Sequence, residues 1–336
     1  LISKVINNEE SSFNKTIDQG LSMLETLTAN GGVLSGEDAF RLYDTYGFPV
    51  DLTKDILAEK GMTLDEDGFN TLMQQQREKA RNARKASDGE SWSSDGISFE
   101  NLDATVFKGY TADECEAEIL DIVSENEHVS VVNAGEKAII VLDTTVFYGE
   151  GGGQVGDSGI ITVGEAVFTV SDTKKTTGGV FTHLGTLESG TLNVGDKVTA
   201  KIDTLRRNAI RRNHTAAHLL QAALRSVLGT HVEQAGSYVD EHKVRFDFSH
   251  YAAMTAEEIA KVESIVNTEI LSAGEGSMTE MGIDEAKAMG AMALFGEKYG
   301  EVVRVVDVPE FSREFCGGTH VGNTAHIGSL RIVSES

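Results

Sequence analysis

The feature that most constrains the fold is a hydrophobic pattern that changes its period twice along the chain. In residues 1–85 apolar side chains recur at helical spacing, as Phe13 and Ile17 illustrate. Between residues 100 and 200, short β-rich runs alternate with Gly, Asn and Asp turns, a pattern typical of a small antiparallel barrel or sandwich. Beyond residue 200, helical and strand-like segments alternate. We therefore predict an α+β fold with an N-terminal helical region, a small antiparallel β-barrel and an α+β core.

Turn and capping residues sharpen the boundaries of these parts. Gly229 ends a predicted helix over residues 204–228, and Thr255 is the predicted N-cap of another. The stretch ASDGESWSSDG, residues 86–96, has the composition of a linker. The segment IGSLRIVSE near the end of the chain is predicted to be a strand. We predict three domains, at residues 1–86, 87–200 and 201–336.

Charge and composition limit the possible partners. The chain carries 29 Lys and Arg against 53 Asp and Glu, a formal net charge of -24. This balance argues against a general nucleic-acid binder, because bulk repulsion of phosphate must be overcome. The sequence contains no run of about 18 apolar residues, so no membrane span is predicted. The first ten residues, LISKVINNEE, do not have the pattern of a signal peptide. Cys115 and Cys316 give no disulfide framework and indicate a reducing, cytoplasmic location.

Two histidines four residues apart form the first half of a candidate site. In RRNHTAAHLL, residues 211–220, His214 and His218 project from one face of the predicted helix, close enough to share a metal ion. A zinc-protease motif would require Glu after the first histidine, and Thr215 stands there instead. From this pair alone three interpretations stay open: metal ligands, contacts to an RNA phosphate, and two ordinary histidines.

A second pair strengthens the metal interpretation. The motif CGGTH places three residues, two of them glycine, between Cys316 and His320. Glycines allow a tight loop to bring a thiolate and an imidazole to one point. One cysteine and three histidines form a nitrogen and sulfur set suited to Zn²⁺. The alternatives are that Cys316 is a buried apolar side chain and that His320 forms hydrogen bonds within a loop.

A basic cluster lies immediately before the histidine pair. The segment KIDTLRRNAIRR, residues 201–212, reverses the sign of the overall charge. A solvated helix face is the common explanation for such a run, and the alternative is an entrance that holds RNA phosphates. If the segment does hold RNA phosphates, we predict that the substrate-binding residues are Arg206, Arg207, Arg211 and Arg212.

Four separated motifs together resemble a known family. The stretches RRNHTAAHLLQAALRSVLGTHVEQAGSYV and FSREFCGGTHVGNTAHIG closely resemble the editing domain of alanyl-tRNA synthetases, and the editing domain of threonyl-tRNA synthetases shares the two paired motifs. The stretch AFRLYDTYGFPVDLT resembles the family's helical tRNA-recognition segment. The segment FYGEGGGQVGDSG, with six glycines in 13 positions, resembles its glycine-rich motif. On composition alone this last segment is a flexible turn, and it matches neither the Walker A nor the dinucleotide pattern.

The resemblance implies which part of an enzyme this chain represents. It runs essentially end to end, and Leu1 stands where a complete protein would have Met. We expect the ATP-dependent aminoacylation motifs of class II synthetases upstream of Leu1. We expect the RNA-binding and oligomerising region beyond Ser336. The partner implied is tRNA(Ala), through its acceptor stem and its aminoacylated 3′ end.

The resemblance also implies roles for particular residues. It assigns Gln234, Cys316 and His218 to the catalytic site, with Gln234 beside the bound aminoacyl end. Asp51, in FPVDLT, falls where the family has a carboxylate that reads the acceptor-stem G·U pair. The four implied Zn²⁺ ligands are His214, His218, Cys316 and His320. The implied wall of the amino-acid pocket is Glu150, Gly151, Gly152, Gly153 and Gln154.

Two positions depart from the family pattern. The family often has Thr immediately before the second histidine, whereas this chain has Ala217. If that hydroxyl tunes the pocket, the specificity of this chain is loosened. The glycine-rich motif commonly begins FYAE, whereas this chain has Gly149 in FYGE, for which we expect little consequence.

The function implied is hydrolytic proofreading of Ser-tRNA(Ala) and Gly-tRNA(Ala). An alanine pocket discriminates only weakly against one added hydroxyl and cannot exclude glycine by size, so a second, hydrolytic site is needed. Because four protein ligands close the shell of a zinc ion, we expect at least one ligand position to be exchangeable. The alternatives are a free-standing editing protein, a zinc-stabilised tRNA-binding module without catalysis, and a structural fragment.

Overall fold

The computed structural model describes residues 2–29, 31–87, 97–293 and 299–336. Contacts divide the chain into two compact units, Leu1–Ser93 and Ser94–Ser336. The stretch predicted as a linker lies outside the described residues from position 88 onward. Among the described helices, none combines the length and the apolar character that crossing a bilayer requires.

The first unit is helical, as its periodicity predicts. Helix α2 begins after Ser35, whose hydroxyl accepts the Asp38 N–H, and ends at Gly47 in the left-handed conformation. The apolar faces meet in a core around Leu42 and Phe48, both completely buried. Two short strands pair in parallel. The elements are α1 Ile2–Leu27, β1 Val33–Leu34, α2 Gly36–Tyr46, α3 Val50–Glu59, β2 Thr63–Leu64 and α4 Glu66–Ser87.

The second unit begins with a closed barrel, which confirms the β-barrel prediction. In strands such as Ala166–Lys175, more and less buried side chains alternate because successive residues point to opposite faces. The inward side chains of the barrel form one apolar core. The elements are β3 Val106–Phe107, β4 Glu114–Ser124, β5 Glu127–Val129, β6 Val131–Asn133, β7 Lys137–Leu142, β8 Thr144–Thr145, β9 Gly159–Val163, β10 Ala166–Lys175, β11 Phe181–Ser189, β12 Thr191–Asn193 and β13 Lys197–Ile202. The closed ring has the order β13-β9-β10-β11-β7-β4, and β13 pairs antiparallel with β4 to complete it.

The rest of the second unit alternates helices and strands. Helix α5 ends before Gly229, and Thr255 forms a capping box with Glu258 at the start of α6, both as predicted. Helices α5 and α6 pack together over an apolar core. The elements are α5 Thr204–Leu228, β14 Gln234–Val239, β15 Val244–Phe248, α6 Ala256–Leu271, β16 Ser277–Gly282, α7 Ile283–Ala288, β17 Val302–Val308, β18 Ser312–Phe315 and a 3-10 helix at Thr324–Ile327.

The segment IGSLRIVSE is not a strand, so that prediction is wrong. Its backbone hydrogen bonds go to side chains of α6 instead of a neighbouring strand. The Leu330 N–H donates to Asn267 Oδ1, and Asn267 Nδ2 donates to the Leu330 carbonyl, each at 2.9 Å. Leu330 and Ile332 meanwhile pack against the apolar core beneath α5 and α6. Tertiary packing therefore satisfies the backbone groups that a strand would have paired.

The described residues form a mixed α and β structure with seven α-helices and a closed six-stranded barrel. This mixture of helices and strands agrees with the predicted α+β class. The barrel and the elements after it belong to one compact unit, Ser94–Ser336. The three-domain division at residues 86 and 200 remains a proposal about the organisation of the chain.

Candidate functional site

The two predicted pairs meet at one point of the second unit. His214 and His218 lie one turn apart on α5, while Cys316 and His320 flank the loop that follows β18. One ligand atom from each of the four side chains lies within 4.8 Å of the others. Cys316 Sγ is 3.2 Å from His320 Nε2 and 3.5 Å from His214 Nε2. The fold therefore brings together residues that are about a hundred positions apart.

The loop between Cys316 and His320 needs a glycine beside the first histidine. A Cβ atom at Gly318 would lie 2.1 Å from Cε1 of His214, which no side chain could accommodate. The absence of a side chain lets the loop backbone approach the imidazole closely. Of the two glycines of CGGTH, Gly318 is the one that this close approach requires.

Each histidine of the site is oriented through Nδ1 by a different partner. Gln154 Oε1 accepts from His214 Nδ1 at 2.7 Å and from the Thr319 backbone N–H at 2.8 Å. Because the backbone N–H can only donate, Oε1 must be the acceptor and His214 Nδ1 must carry the proton. Glu314 Oε2 contacts His218 Nδ1 and sets the same tautomer.

The third histidine is oriented by a hydroxyl. Thr215 Oγ1 donates to the carbonyl of Arg211 at 3.0 Å, so it accepts from the Val321 N–H and from His320 Nδ1. All three imidazoles therefore carry a proton on Nδ1, which leaves Nε2 of each ring as the nitrogen that can bind a ligand. Such outer partners fix ring orientation in metal sites and raise ligand basicity.

The donor set fits a zinc ion. His218 Nε2 is buried and has no hydrogen-bond partner among the described residues, which is costly unless a ligand satisfies it. Nitrogen and sulfur ligands of tetrahedral zinc lie roughly 3.3–3.8 Å from one another. The measured Sγ to Nε2 separations of 3.2 and 3.5 Å are close to that range. The cluster is therefore able to hold a metal ion.

The electrostatics of the cluster favour a thiolate. Burial opposes the charged form of Cys316, but His214, His320 and His218 around Sγ hold the pKa of the thiol well below its usual value. Burial lowers the pKa of His320 to about 3, which keeps that imidazole neutral. Burial also acts against the charged form of His218, yet the neighbouring Glu314 carboxylate raises the pKa of His218 well above its usual value. The thiolate and the neutral His320 are the ligand forms that zinc requires, whereas His218 must lose the proton that Glu314 favours before its Nε2 can bind the ion.

A pocket of about 640 Å³ opens onto the cluster. Gln234, at the start of β14, lines it, and its place beside a bound substrate stays a prediction. The glycine-rich loop contributes Glu150, Gly151 and Gly152 to its wall. Gly153 and Gln154, which were predicted for the same wall, do not line the pocket. The Gly153 backbone packs against Ser237 of β14 so closely that an added Cβ would lie 2.2 Å from Ser237 Oγ. Gln154 is completely buried and bonds to His214 instead.

One arginine of the predicted RNA-facing cluster requires a correction. Arg207 is completely buried, and its guanidinium forms an ion pair with Asp157. Its remaining donors bond to the carbonyls of Gly109 at 2.7 Å and Val146 at 2.9 Å. No face of the guanidinium is left for a phosphate, so the assignment of Arg207 to substrate binding is wrong. Its role is to join α5 to the barrel.

The other three arginines differ in how far their charges are already paired. Arg206 forms an ion pair with Glu241 at 3.1 Å, and Arg211 forms one with Asp113 at 3.6 Å. Arg212 is partly exposed and has no ion-pair partner among the described residues. The carboxylates around this segment thus offset most of the local positive charge that the sequence displays.

Asp51 belongs to the first compact unit. It is exposed in the first turn of α3, after Pro49. An exposed carboxylate at that position is accessible to an external donor such as an amino group.

Several functional residues were missed by the sequence analysis. Glu314 and Thr215 orient His218 and His320, although both stand inside the motifs that carried the metal prediction. A clamp also holds the loop that contains Cys316. Arg304 donates to the carbonyls of Cys316 at 3.1 Å and Gly318 at 2.7 Å, and its guanidinium lies 4.0 Å from the ring centroid of Tyr110. No spacing in the sequence signals this clamp, because its members come from separate elements.

Family models identify the class of protein. Residues 1–206 match the model described as "tRNA synthetases class II (A)". Residues 303–336 match the "Threonyl and Alanyl tRNA synthetase second additional domain". The chain therefore belongs to the alanyl-tRNA synthetase family of class II tRNA synthetases.

Curated relatives match over the whole chain. Alanine--tRNA ligase 1 of Lachnoclostridium phytofermentans is 50% identical over 343 residues, and alanine--tRNA ligase of Alkaliphilus oremlandii is 50% identical over 344 residues. Both alignments cover 100% of this chain and 39% of the relative. Alanine--tRNA ligase of Clostridioides difficile is 49% identical over 342 residues, with 99% and 39% covered. The chain thus spans well under half the length of these relatives.

Proposed function

We propose that this chain is the proofreading part of an alanyl-tRNA synthetase and hydrolyses Ser-tRNA(Ala) and Gly-tRNA(Ala). The observation that carries the proposal is the cluster of three oriented histidines and one thiolate beside a pocket of about 640 Å³. Hydrolysis of an aminoacyl ester requires groups that polarise the ester or water, and a cavity that holds the aminoacyl end. This part of the second unit combines both.

His214, His218, Cys316 and His320 are the residues proposed to hold Zn²⁺. When bound there, the ion supplies Lewis-acid polarisation of an ester carbonyl or of water. The residues behind it keep the four ligands in place: Gln154 and Glu314 hold Nδ1 of His214 and His218. The Arg304 clamp fixes the backbone on either side of the thiolate. We expect one ligand position to exchange when substrate binds.

The pocket wall orients the aminoacyl end. Gln234 lines the pocket and offers both a donor and an acceptor to the ester or to the terminal ribose. The glycine-rich loop, residues 147–159, is pinned to β14 by hydrogen bonds between Val155 and Val239 and between Val239 and Gly153. A wall fixed to a strand keeps the reacting ester in one orientation, which is what intramolecular positioning contributes to rate.

We propose tRNA(Ala) as the partner. Asp51, exposed at the start of α3, is the proposed reader of the acceptor stem. Arg212 is the proposed phosphate contact because, among the described residues, its charge has no carboxylate partner. Arg206 and Arg211 contribute only where an RNA phosphate displaces Glu241 and Asp113. We place the chain in the cytoplasm, because Cys115 and Cys316 are free cysteines and a reducing compartment preserves them.

A second candidate is a zinc-stabilised tRNA-binding module without catalysis. The observation in its favour is that four protein side chains converge, which is the number that closes a tetrahedral structural site. A closed shell leaves no position for a reacting group. This candidate predicts bound zinc and bound tRNA without ester hydrolysis.

The test is deacylation of Ser-tRNA(Ala) by the zinc-loaded chain, with Ala-tRNA(Ala) as the substrate that must survive. We expect Cys316→Ala and His218→Ala to slow serine release at least about hundredfold, because each loses a ligand. Cys115→Ala is the matched control, since that thiol packs against the barrel core and should leave the rate unchanged.

Zinc analysis accompanies this measurement. About one zinc per wild-type chain is expected, and clearly less after careful purification contradicts the metal assignment. A wild type that binds zinc and tRNA but releases no serine overturns the proofreading proposal in favour of the second candidate. Serine release that survives in both ligand variants overturns the assignment of the site.

A further inference from the structure

The side chain of Gln221 borders the same pocket from α5. It follows Ala217 by four residues and His218 by three, so all three project from one face of the helix. Helical side chains lean toward the N-terminus, which directs Gln221 over the methyl group of Ala217. All three side chains line the pocket.

The carboxamide oxygen of Gln221 is unsatisfied in an almost fully buried position. Only 6% of the residue is exposed, and its Oε1 is buried without a hydrogen-bond partner among the described residues. Buried polar atoms in native structures almost always have partners, so an exception calls for a ligand or a water molecule. The terminal torsion of glutamine is broad, and a half-turn therefore presents either polar end of the carboxamide to the pocket.

We infer that Gln221 recognises the side-chain hydroxyl of the seryl group in the mischarged substrate. This inference rests on the proposed function and makes Gln221 a specificity-determining residue for it. A hydroxyl both donates and accepts, so it pairs with either end of a carboxamide. Alanine has no such group and leaves the buried amide unpaired, which is a costly mismatch.

The charged part of the substrate has other partners. The α-ammonium group of an aminoacyl ester is best matched by a carboxylate, and the pocket lining includes Glu150 and Glu280. A neutral carboxamide is left for the neutral hydroxyl. Arg304 and Lys175 also line the pocket. Their positive charges repel the ammonium group but do not repel the neutral seryl hydroxyl.

The position of Gln221 matches the short reach of serine. The seryl hydroxyl is only a few bonds from the ester carbonyl that must lie near the ligand cluster. One turn of helix rises about 5.4 Å, and Gln221 stands nearly one turn from His218, whose Nε2 faces the cluster. The small side chain of Ala217 leaves space between them for the seryl methylene group. A residue two turns away would not reach the same hydroxyl.

The experiment compares two mischarged substrates on one set of variants. Gln221→Met keeps the length of the side chain and removes its hydrogen-bonding groups. We expect its kcat/KM for Ser-tRNA(Ala) to fall about tenfold or more. Gly-tRNA(Ala), whose glycyl group has no side-chain hydroxyl, should be hydrolysed at the wild-type rate. Leu220→Met is the matched control, since that side chain packs into the core beneath α5 and should change neither rate.

A second variant and a binding measurement keep the outcomes separate. Gln221→Ala should also lower the rate for the seryl substrate relative to the glycyl substrate. Unlike methionine, alanine leaves the space of the glutamine side chain empty. Binding of 3′-seryl and 3′-glycyl amide analogues of adenosine, measured by calorimetry, should show a loss for the seryl analogue alone. Zinc content and thermal unfolding confirm that each variant is folded.

The outcomes distinguish this inference from the proposed function. A wild type that hydrolyses neither substrate overturns the proposed function, and the inference with it. A wild type that hydrolyses both, with Gln221 variants that slow both equally or neither, overturns the inference alone. A fall confined to the seryl substrate supports it.

Discussion

The first turn and the middle of helix α5 carry buried polar groups that differ in one respect. Near its start, Arg207 is completely buried and every donor group has an acceptor, from Asp157 and two backbone carbonyls. Eleven residues later, His218 has a buried Nε2 with no partner among the described residues, and Gln221 has a buried Oε1 in the same state. A satisfied buried group stabilises the fold, whereas an unsatisfied one indicates a ligand. Charge in the sequence does not distinguish the two.

The largest expected effect concerns Arg207, the buried group whose hydrogen bonds are satisfied. Arg207→Met leaves the Asp157 carboxylate buried without its counter-ion, and we expect a loss of about 3–5 kcal/mol in unfolding free energy. Zinc content per folded chain should stay at the wild-type value, because the cluster does not contact Arg207. Urea unfolding measures the first quantity and metal analysis the second.

Arg206→Met is the control for that experiment, since its partly exposed ion pair with Glu241 should contribute about 1 kcal/mol or less. Adding Asp157→Leu to Arg207→Met should recover part of the loss, because the unpaired carboxylate is then gone. An Arg207→Met protein as stable as the Arg206→Met protein would mean that the buried pair contributes nothing.

A buried histidine of the barrel sharpens the comparison through pH. His183 Nδ1 bonds to the Ile140 carbonyl at 2.9 Å and Nε2 to Thr145 Oγ1 at 2.7 Å, so neither nitrogen is available to a ligand. Burial lowers the pKa of His183 to about 4, from 6.5 for a free histidine. Between pH 6.5 and pH 4, His183 binds a proton in the unfolded chain but not in the folded chain. Stability is therefore complete above pH 6.5 and falls by about 3 kcal/mol as pH drops to 4.

His183→Gln removes this titration. Urea unfolding of wild type and variant at a series of pH values should show their difference in stability shrinking as pH falls from 6.5 toward 4. Protonation of the metal cluster affects both proteins and cancels in the difference. A constant difference over that range would show that His183 is not held neutral by the fold.

A smaller effect is expected behind the metal ligands. Glu314→Gln keeps an acceptor for His218 Nδ1 but removes the negative charge that raises its basicity. We expect zinc affinity to fall about tenfold, near the lower limit for outer partners of metal ligands. Competition with a chelator measures it. Glu280→Gln, in the pocket lining but without contact to the histidines, is the control, and equal affinities for the two variants would refute the role of Glu314.

The smallest expected effect concerns the arginines outside the buried pair. Arg212→Ala should weaken tRNA binding a few-fold and lower the slope of log affinity against log salt by about one, as loss of one phosphate contact does. Lys197→Ala, which removes an exposed charge already paired with Glu118, should leave the slope unchanged. If both variants have the wild-type slope, Arg212 does not contact an RNA phosphate.

Local features were predictable because local physics sets them. The bounds of α5 follow from helical periodicity and from Gly229, and both metal-ligand pairs follow from spacing within one segment. The predicted strand IGSLRIVSE failed because α6 supplies side-chain partners to its backbone. The RNA-facing assignment of Arg207 failed because a run of basic residues reports charge and says nothing of burial.

The sequence by itself determined the helical and β-rich segments, the family resemblance and the four candidate metal ligands, since each depends on residue types at short spacing. Only the tertiary structure decided which nitrogen of each histidine is free. Gln154 is 60 residues from His214, and Glu314 is 96 residues from His218. Hydrogen bonding depends on distance in space, and over such separations along the chain that distance is set by how the barrel, α5 and β18 pack together.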